Sequence, residues 1–470
     1  MDMLAFMADP AVKSPVYHQL YTFIKAEIRS GRIPAGTRLP SKRKLSAFLG
    51  LSQNTIQTAY EQLIEEGYAV ASERKGFYAS RIDNVVSLES RKAQVEGKRD
   101  TDKKGARYDF SYHGVDTETF PFPTWRKLMK AVLNEYDEEL LLPGNPQGYP
   151  ELRSSITDYL HHSRGVNCHP DQVIVSAGTE YLFQILIQLF GREKVYGIEN
   201  PGYEKLSQVF SSNKASFRAI RVDEGGMDPE AVTTSGADIL CITPAHQFPT
   251  GEIMPIMRRV QLLNWANGST GRYLIEDDYD SEFKYSGKPV PALQGLDTGE
   301  KVIYMGTFSK SLSPSLRVSY MVLPQHLLKR YQEELSFIIC PVPIVDQKVL
   351  SLFIREGYFE RHLNRMRILY RRKREELVRS LRETGGGIRI LGADAGLHIL
   401  ITVDNGMSEA ELVESAFRAG TRVYGISKYY VDREVSTAEP TVLLGFASMK
   451  EEEIRSALER LKAAWFPHQI

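Results

Sequence analysis

Apolar positions in the first eighty residues recur at three- and four-residue spacing and stop at glycines. Tyr17, Leu20, Tyr21, Ile24 and Ile28 share one side of a helix predicted over 15–31, ended by Gly31 and Pro34. Ser41, after Pro40, is placed to cap a short helix carrying Leu45, Phe48 and Leu49 and closed by Gly50. Ser52 is placed to cap a third helix, with Ile56, Ala59, Tyr60, Leu63 and Ile64 inward and Gly67 at its end. Two short β segments follow, "YAVAS" and "GFYAS", joined by the basic turn "ERKG". Helix, helix-turn-helix and β wing together predict a winged helix-turn-helix, an α+β unit, over residues 1–82.

The pattern then fails. Residues 83–107 hold no aromatic and no sustained period, but many charges, and read as a flexible charged linker. From "YDFSYHG" the aromatics return. Between 170 and 325 apolar strand-like runs ("QVIVS", "KVYGIE", "ADILCIT", "RYLIEDD", "KVIYMGTF", "VSYMVLP") alternate with helical patterns. Such alternation predicts an α/β domain with a mostly parallel sheet covered on both faces. Residues 326–380 read as amphipathic helices, and 388–465 as a smaller C-terminal α+β subdomain. We group 108–470 as one effector domain.

Composition narrows this picture. A chain of 470 residues accommodates several units, and 42% apolar residues suffice for large cores. A formal net charge of zero excludes a general polyanion binder. The average conceals a basic stretch: Lys25, Arg29, Arg32, Arg38, Lys42, Arg43 and Lys44 stand against the single acid Glu27. Cys168, Cys241 and Cys340 are scattered without metal-ligand or disulfide spacing, so no metal site is expected and a reducing cytoplasm fits. No signal segment is apparent, and no apolar run approaches the ~20 residues of a membrane span.

In a helix-turn-helix the N-terminal residues of the second helix reach base edges in the major groove. Here these are Gln53, Asn54, Thr55 and Gln57, with amide side chains suited to adenine. Arg43 on the preceding helix, and Arg74 and Lys75 on the wing, are placed for phosphates or the minor groove. Double-stranded DNA is the expected partner of this end.

The effector domain carries a different chemistry in "YMGTFSKSLSPSLRVSYMV", residues 304–322. A lysine in a turn of small residues after a strand, Lys310, is the residue a carbonyl cofactor needs for a Schiff base. Pyridoxal 5'-phosphate also asks for a carboxylate at its ring nitrogen, a phosphate cradle and a stacking group. Asp277 and Tyr279, at the end of "YLIEDDYD", are candidates for the ring nitrogen and the 3-oxygen. Gly178 and Thr179, between a strand and a helix, would offer backbone N–H groups to phosphate. Thr307, Ser309 and Arg317 bracket the lysine and could complete that grip, and Tyr203 in "ENPGYEK" is a candidate to stack.

"GTRLPSKRKLSAFLGLSQNTIQTAYEQLIEEGY" closely resembles the GntR superfamily of bacterial repressors, in which residues at 43 and 53–57 read DNA. That family usually has Arg where Gln53 stands, so an operator sequence does not transfer. "EDDYDSEF", "PAHQFPTG" and "GTFSKSLSPSLR" resemble the fold-type I aminotransferase domain of its MocR-type subfamily, and "GNPQGYPELR", "VIYMGTFSKSL" and "GLHILI" are most similar to the GabR type. The resemblance covers nearly the whole chain. It implies that Lys310 carries the aldimine, Asp277 pairs with the ring nitrogen and Tyr279 contacts the 3-oxygen. It also implies an amine effector such as γ-aminobutyrate, gripped by two arginines. Lys205 and Lys428 stand at those two places, so another ω-amino acid or amine is as good an expectation. His246 and Gln247 occupy the loop that approaches the cofactor in aminotransferases, where a lone histidine could equally be a core residue. Fold-type I domains pair, so a homodimer is expected. Two functions follow: a regulator that senses an amine by external aldimine formation, or a working aminotransferase with a DNA-binding appendage. The head favours the regulator.

Overall fold

A computed structural model describes residues 6–9, 14–72, 75–81, 105–134, 137–287, 290–383, 387–431 and 439–467. The chain divides into two compact units, 1–99 and 100–470. The expected linker lies largely outside the described residues.

In the first unit, helices α1 (Val16–Arg29), α2 (Lys42–Leu49) and α3 (Gln53–Glu65) precede strands β1 (Ala69–Ser72) and β2 (Gly76–Ala79), which pair antiparallel. The helix starts follow from local chemistry. Ser41 Oγ accepts the Lys44 N–H at 3.3 Å and Ser52 Oγ accepts the Thr55 N–H at 3.1 Å, satisfying donors the helix cannot. Gly50, at φ 67°, ends α2 in a conformation most side chains resist. Leu20, Ile24, Leu45, Ile56 and Leu63 are fully buried in the head core. Ile64, expected inward, is only half-buried. The wing gains a third extended segment: Leu39 N–H donates to Phe77 O at 2.8 Å and Ala79 N–H to Thr37 O at 2.9 Å.

The second unit opens with β3 (Tyr108–Asp109), α4 (Phe122–Asn134) and α5 (Pro150–Arg164). Its main sheet uses β4 (Val173–Ser176), β5 (Val195–Asn200), β6 (Ser216–Asp223), β7 (Gly226–Met227), β8 (Ile239–Ile242), β9 (Tyr273–Asp278), β10 (Val302–Thr307) and β11 (Ser319–Val322). Their spatial order is β4-β11-β10-β9-β8-β5-β6-β7. Strands β10, β9, β8, β5 and β6 run parallel, while β11 is antiparallel to both β10 and β4. Successive residues supply opposite cores: Val173, Val175, Tyr304 and Tyr320 enter one, and Ile174, Ile303, Met305 and Met321 the other. This two-sided burial explains why these strands read as continuous apolar runs. Sequence pattern missed β6, which lies next to the short edge strand β7 and whose side chains are mostly exposed.

A smaller sheet orders β12 (Ile388–Leu391), β13 (His398–Val403), β16 (Thr441–Gly445) and β15 (Tyr424–Gly425) antiparallel. Between them β14 (Thr421–Arg422) pairs with β3, tying residues over three hundred positions apart. The 26-residue helix Tyr358–Glu383 carries buried Phe359, Leu363, Met366, Tyr370, Leu377 and Leu381 into the shared core.

Candidate functional site

The parallel strands end together, and open α/β sheets bind ligands beyond such ends. There β4 runs through Ala177 and Gly178 into α6 (Thr179–Phe190), β9 delivers Asp277, and β10 leads to Lys310. A cavity of about 230 Å³ lies between them, lined by Lys310, Asp277, Tyr279, Tyr203, Gly178, Thr179, Thr307, Ser309, Arg317 and Lys205. The fold thus gathers residues that the chain separates by more than a hundred positions.

Each side chain has a local cause. The Lys310 ammonium donates to the Tyr112 carbonyl and lies 5.3 Å from that ring's centre. Burial pulls its pKa down to about 8, with Asp280 opposing, so the neutral fraction at neutral pH is far above that of a free lysine although the ammonium still predominates. Asp277 is the converse. Burial pushes it up to about 7, helped by Asp278 and Glu199, and its Oδ1 is buried without a hydrogen-bond partner. An unpartnered buried carboxylate oxygen costs about 1–3 kcal/mol unless a ligand satisfies it. Its neighbour Asp278 is by contrast fully engaged, accepting from Arg164 Nε at 2.7 Å and the Tyr304 hydroxyl at 2.7 Å.

Opposite, the start of α6 lines the cavity. Gly178 sits at φ 107°, and a Cβ there would come within 2.1 Å of Arg317 Nη2. Arg317, itself at φ 52°, donates to Ala177 O at 3.2 Å and to Glu180 Oε2 at 2.9 Å. Thr307 Oγ donates to Ser309 Oγ at 2.9 Å and accepts from Ser319 Oγ at 2.9 Å, holding three hydroxyls beside the lysine. Lys205 Nζ stands 3.7 Å from the other Glu180 oxygen.

Two expected residues lie elsewhere. Lys428 lines a neighbouring crevice of about 130 Å³, which shares Tyr203 with the main cavity. Its ammonium rests 4.5 and 4.7 Å from the Tyr424 and Tyr429 ring centres, and burial lowers its pKa. His246 is fully buried behind the wall, its Nδ1 2.9 Å from the Tyr279 hydroxyl. Gln247 is also buried, donating to Pro201 O at 2.9 Å and Glu199 Oε2 at 3.3 Å. Sequence reading missed Tyr112, His113, Glu180, Thr243, Phe248 and Ser319 as wall residues. Burial and the nearby Lys310 push His113 down to about 4, so it is neutral at pH 7. The aromatic pair in "SYHG" was the one available signal for Tyr112 and His113.

On the head, Gln53, Asn54 and Gln57 are exposed on α3, and Thr55 is half-buried against its cap, 2.8 Å from Ser52 Oγ. Gln57 is held from both sides, donating to Glu61 Oε1 at 2.7 Å and accepting from Lys42 Nζ at 3.3 Å. Arg43 and Lys75 are exposed, and Arg74 lies outside the described residues.

Comparison with known proteins fixes the class. Residues 113–461 match the family "Aminotransferase class I and II", and residues 16–79 match "Bacterial regulatory proteins, gntR family". The chain is therefore a pyridoxal-phosphate-type aminotransferase domain fused to a GntR helix-turn-helix, and it belongs to the MocR-type transcriptional regulators. It is 42% identical to the HTH-type transcriptional regulator YdeL of Bacillus subtilis strain 168, over 99% of this chain and 100% of that protein. It is 32% identical to the probable rhizopine catabolism regulatory protein MocR of Rhizobium meliloti, over 96% and 94%. The fold is also that of Pyrococcus horikoshii kynurenine aminotransferase: TM-score 0.69 and 23% identity, over 78% of this chain and 93% of that one. The residues present fit the class's cofactor. Asp277 Oδ1 awaits a partner, Gly178 leaves α6 open to an anion, and Lys310 supplies a half-buried amine.

Proposed function

We propose that the aminotransferase-like domain senses a primary amine bearing a carboxylate, γ-aminobutyrate or another ω-amino acid, and passes that event to a head bound on operator DNA. The observation that carries this reading is the pairing, in one cavity, of the half-buried Lys310 amine with the unpartnered Asp277 oxygen. The cofactor, when bound, supplies an electrophilic carbonyl and an electron-withdrawing ring. Lys310 would anchor it through its amine, the nitrogen that an effector amine would compete with. Asp277 holds the proton of the ring nitrogen, Tyr279 donates to the 3-oxygen and Tyr203 stacks. Gly178, Thr179, Thr307, Ser309 and Arg317 hold the phosphate, Arg317 with its planar fork. Lys205 receives the effector's carboxylate, with Lys428 lending positive charge from the next crevice.

On the DNA side, Gln53, Asn54, Thr55 and Gln57 reach base edges, and Arg43, Arg74 and Lys75 engage the backbone. Units 1–82 and 108–470 act as reader and sensor, with 83–107 between them, and a DNA target assigns the protein to the cytoplasm. A homodimer suits the exposed apolar side chains Leu141, Leu142, Tyr181, Phe337 and Ile339 on the sensor. A monomer in analytical ultracentrifugation at micromolar concentration counts against it.

Burial of Lys310 to about 8 also suits a lysine that moves protons, so a second reading is a turning-over aminotransferase. Spectral titration of the pyridoxal-phosphate-loaded protein against a panel of amines decides. A saturable band shift without release of an aldehyde or keto acid supports the sensor. Sustained production of such an oxo product establishes the enzyme, and no shift with any amine rejects both.

A further inference from the structure

We propose that His246 and Asp280 are positioning residues that hold the Tyr279 hydroxyl as a hydrogen-bond donor into the Lys310 cavity. His246 Nδ1 lies 3.1 Å from both Asp280 oxygens and 2.9 Å from the Tyr279 oxygen. An Nδ1 without hydrogen would oppose its lone pair to a carboxylate, so the tautomer is Nδ1–H. That hydrogen is shared between Asp280 and the Tyr279 oxygen, which accepts. The phenolic hydrogen is thereby kept off His246 and turns to the cavity that Tyr279 lines.

His246 Nε2 is buried without a hydrogen-bond partner and costs free energy in either tautomer, so the choice falls to Nδ1, where only an N–H meets the two Asp280 oxygens as acceptors. Glycine at 396 leaves room for the ring, since a Cβ there would meet His246 Cε1 at 1.9 Å. The groups facing the dyad include His398, with its ring 5.1 Å from His246 and its Nε2 bonded to Pro249 O at 3.0 Å, and the more distant Glu252, Lys310, Asp277 and Tyr285. Burial keeps His398 neutral, which leaves Asp280 as the close charged partner of His246.

The inference rests on the proposed placement of Tyr279 at the cofactor's 3-oxygen, and its test separates the two. In the pyridoxal-phosphate-loaded full chain, Tyr279→Phe is expected to move the pH midpoint of the visible absorption by about one unit, from loss of one hydrogen bond to the ionised oxygen. Asp280→Asn, nearly isosteric, is expected to move it the same way by less, and Tyr279→Phe/Asp280→Asn no further than Tyr279→Phe alone. An unmoved midpoint in Asp280→Asn, or full additivity, overturns the dyad's role. Histidine ¹⁵N spectra of the cofactor-free wild type, with the resonance assigned by its loss in His246→Gln, are expected to show Nδ1–H. An Nε2–H tautomer overturns the proposal, as does stoichiometric Zn²⁺ uptake by His246, Asp280 and His398, whose ligand atoms lie within 4.8 Å of one another. The tautomer is read without cofactor, so failure of the Lys310 assignment leaves this test standing.

Discussion

The Lys310 cavity and the exposed face of α3 are both built from polar side chains, but on opposite principles. In the cavity, burial raises Asp277 to about 7, lowers Lys310 to about 8 and leaves Asp277 Oδ1 without a partner. On α3, Gln53, Asn54 and Gln57 stand in solvent, and Gln57 already satisfies itself against Glu61 and Lys42. A small ligand must be gripped by groups whose desolvation the fold has already met. A duplex brings its own charge and is met by exposed side chains that exchange water for base edges. Damage should therefore be steep and local in the cavity, and graded on the head.

The contrast breaks most sharply at Lys310. Lys310→Ala should abolish the visible absorption that pyridoxal phosphate gives the protein; an unchanged spectrum ends the assignment. Leu63→Ala, in the head core, should lower the head's unfolding free energy by about 3 kcal/mol. The cofactor spectrum should be untouched, as calorimetry and absorbance together can check. Asp277→Asn should weaken cofactor binding by about 10- to 100-fold, since a charge-assisted bond to the ring is lost; equal affinity in a fluorescence titration would remove Asp277 from that role. Cofactor capture needs neutral Lys310, whose pKa is held below that of free lysine. Its rate should climb with pH up to about 8 and flatten above, and stopped-flow absorbance would expose a midpoint near 10 instead. The smallest effect is on the head: Arg43→Ala should weaken DNA binding on all sequences and reduce the salt slope by about one.

How much of this the chain announced can be read residue by residue. The head was legible because its signals are local: Ser41 and Ser52 cap the helices that follow them, and Gly50 stops one. Strands β4, β8, β9, β10 and β11 were legible because both faces are buried, which makes them apolar throughout. Strand β6, near the sheet's edge, was not, because its exposed side chains carry no such pattern. In the site, Lys310, Asp277 and Tyr279 stood out by strand-end position, and the fold brings them to one cavity. Tyr112 escaped notice since its hydrogen bond to Lys310 comes from a backbone carbonyl, which any residue possesses, and only folding brings its ring beside that lysine. Glu180 escaped because a glutamate in a helix's first turn is ordinary, and only folding sets it against Arg317 and Lys205.

The sequence alone determined the two units, the caps and periods of their elements, and the order of the chemistry-bearing residues, since all of these depend on neighbours a few positions apart. The tertiary structure decided which polar atoms lose water. It set Asp277 without a partner while Asp278 beside it has Arg164 and Tyr304, moved Lys428 to a separate crevice, and seated His246 behind Tyr279. Desolvation is a property of the surrounding atoms, and those atoms come from strands and loops that only the folded sheet brings together.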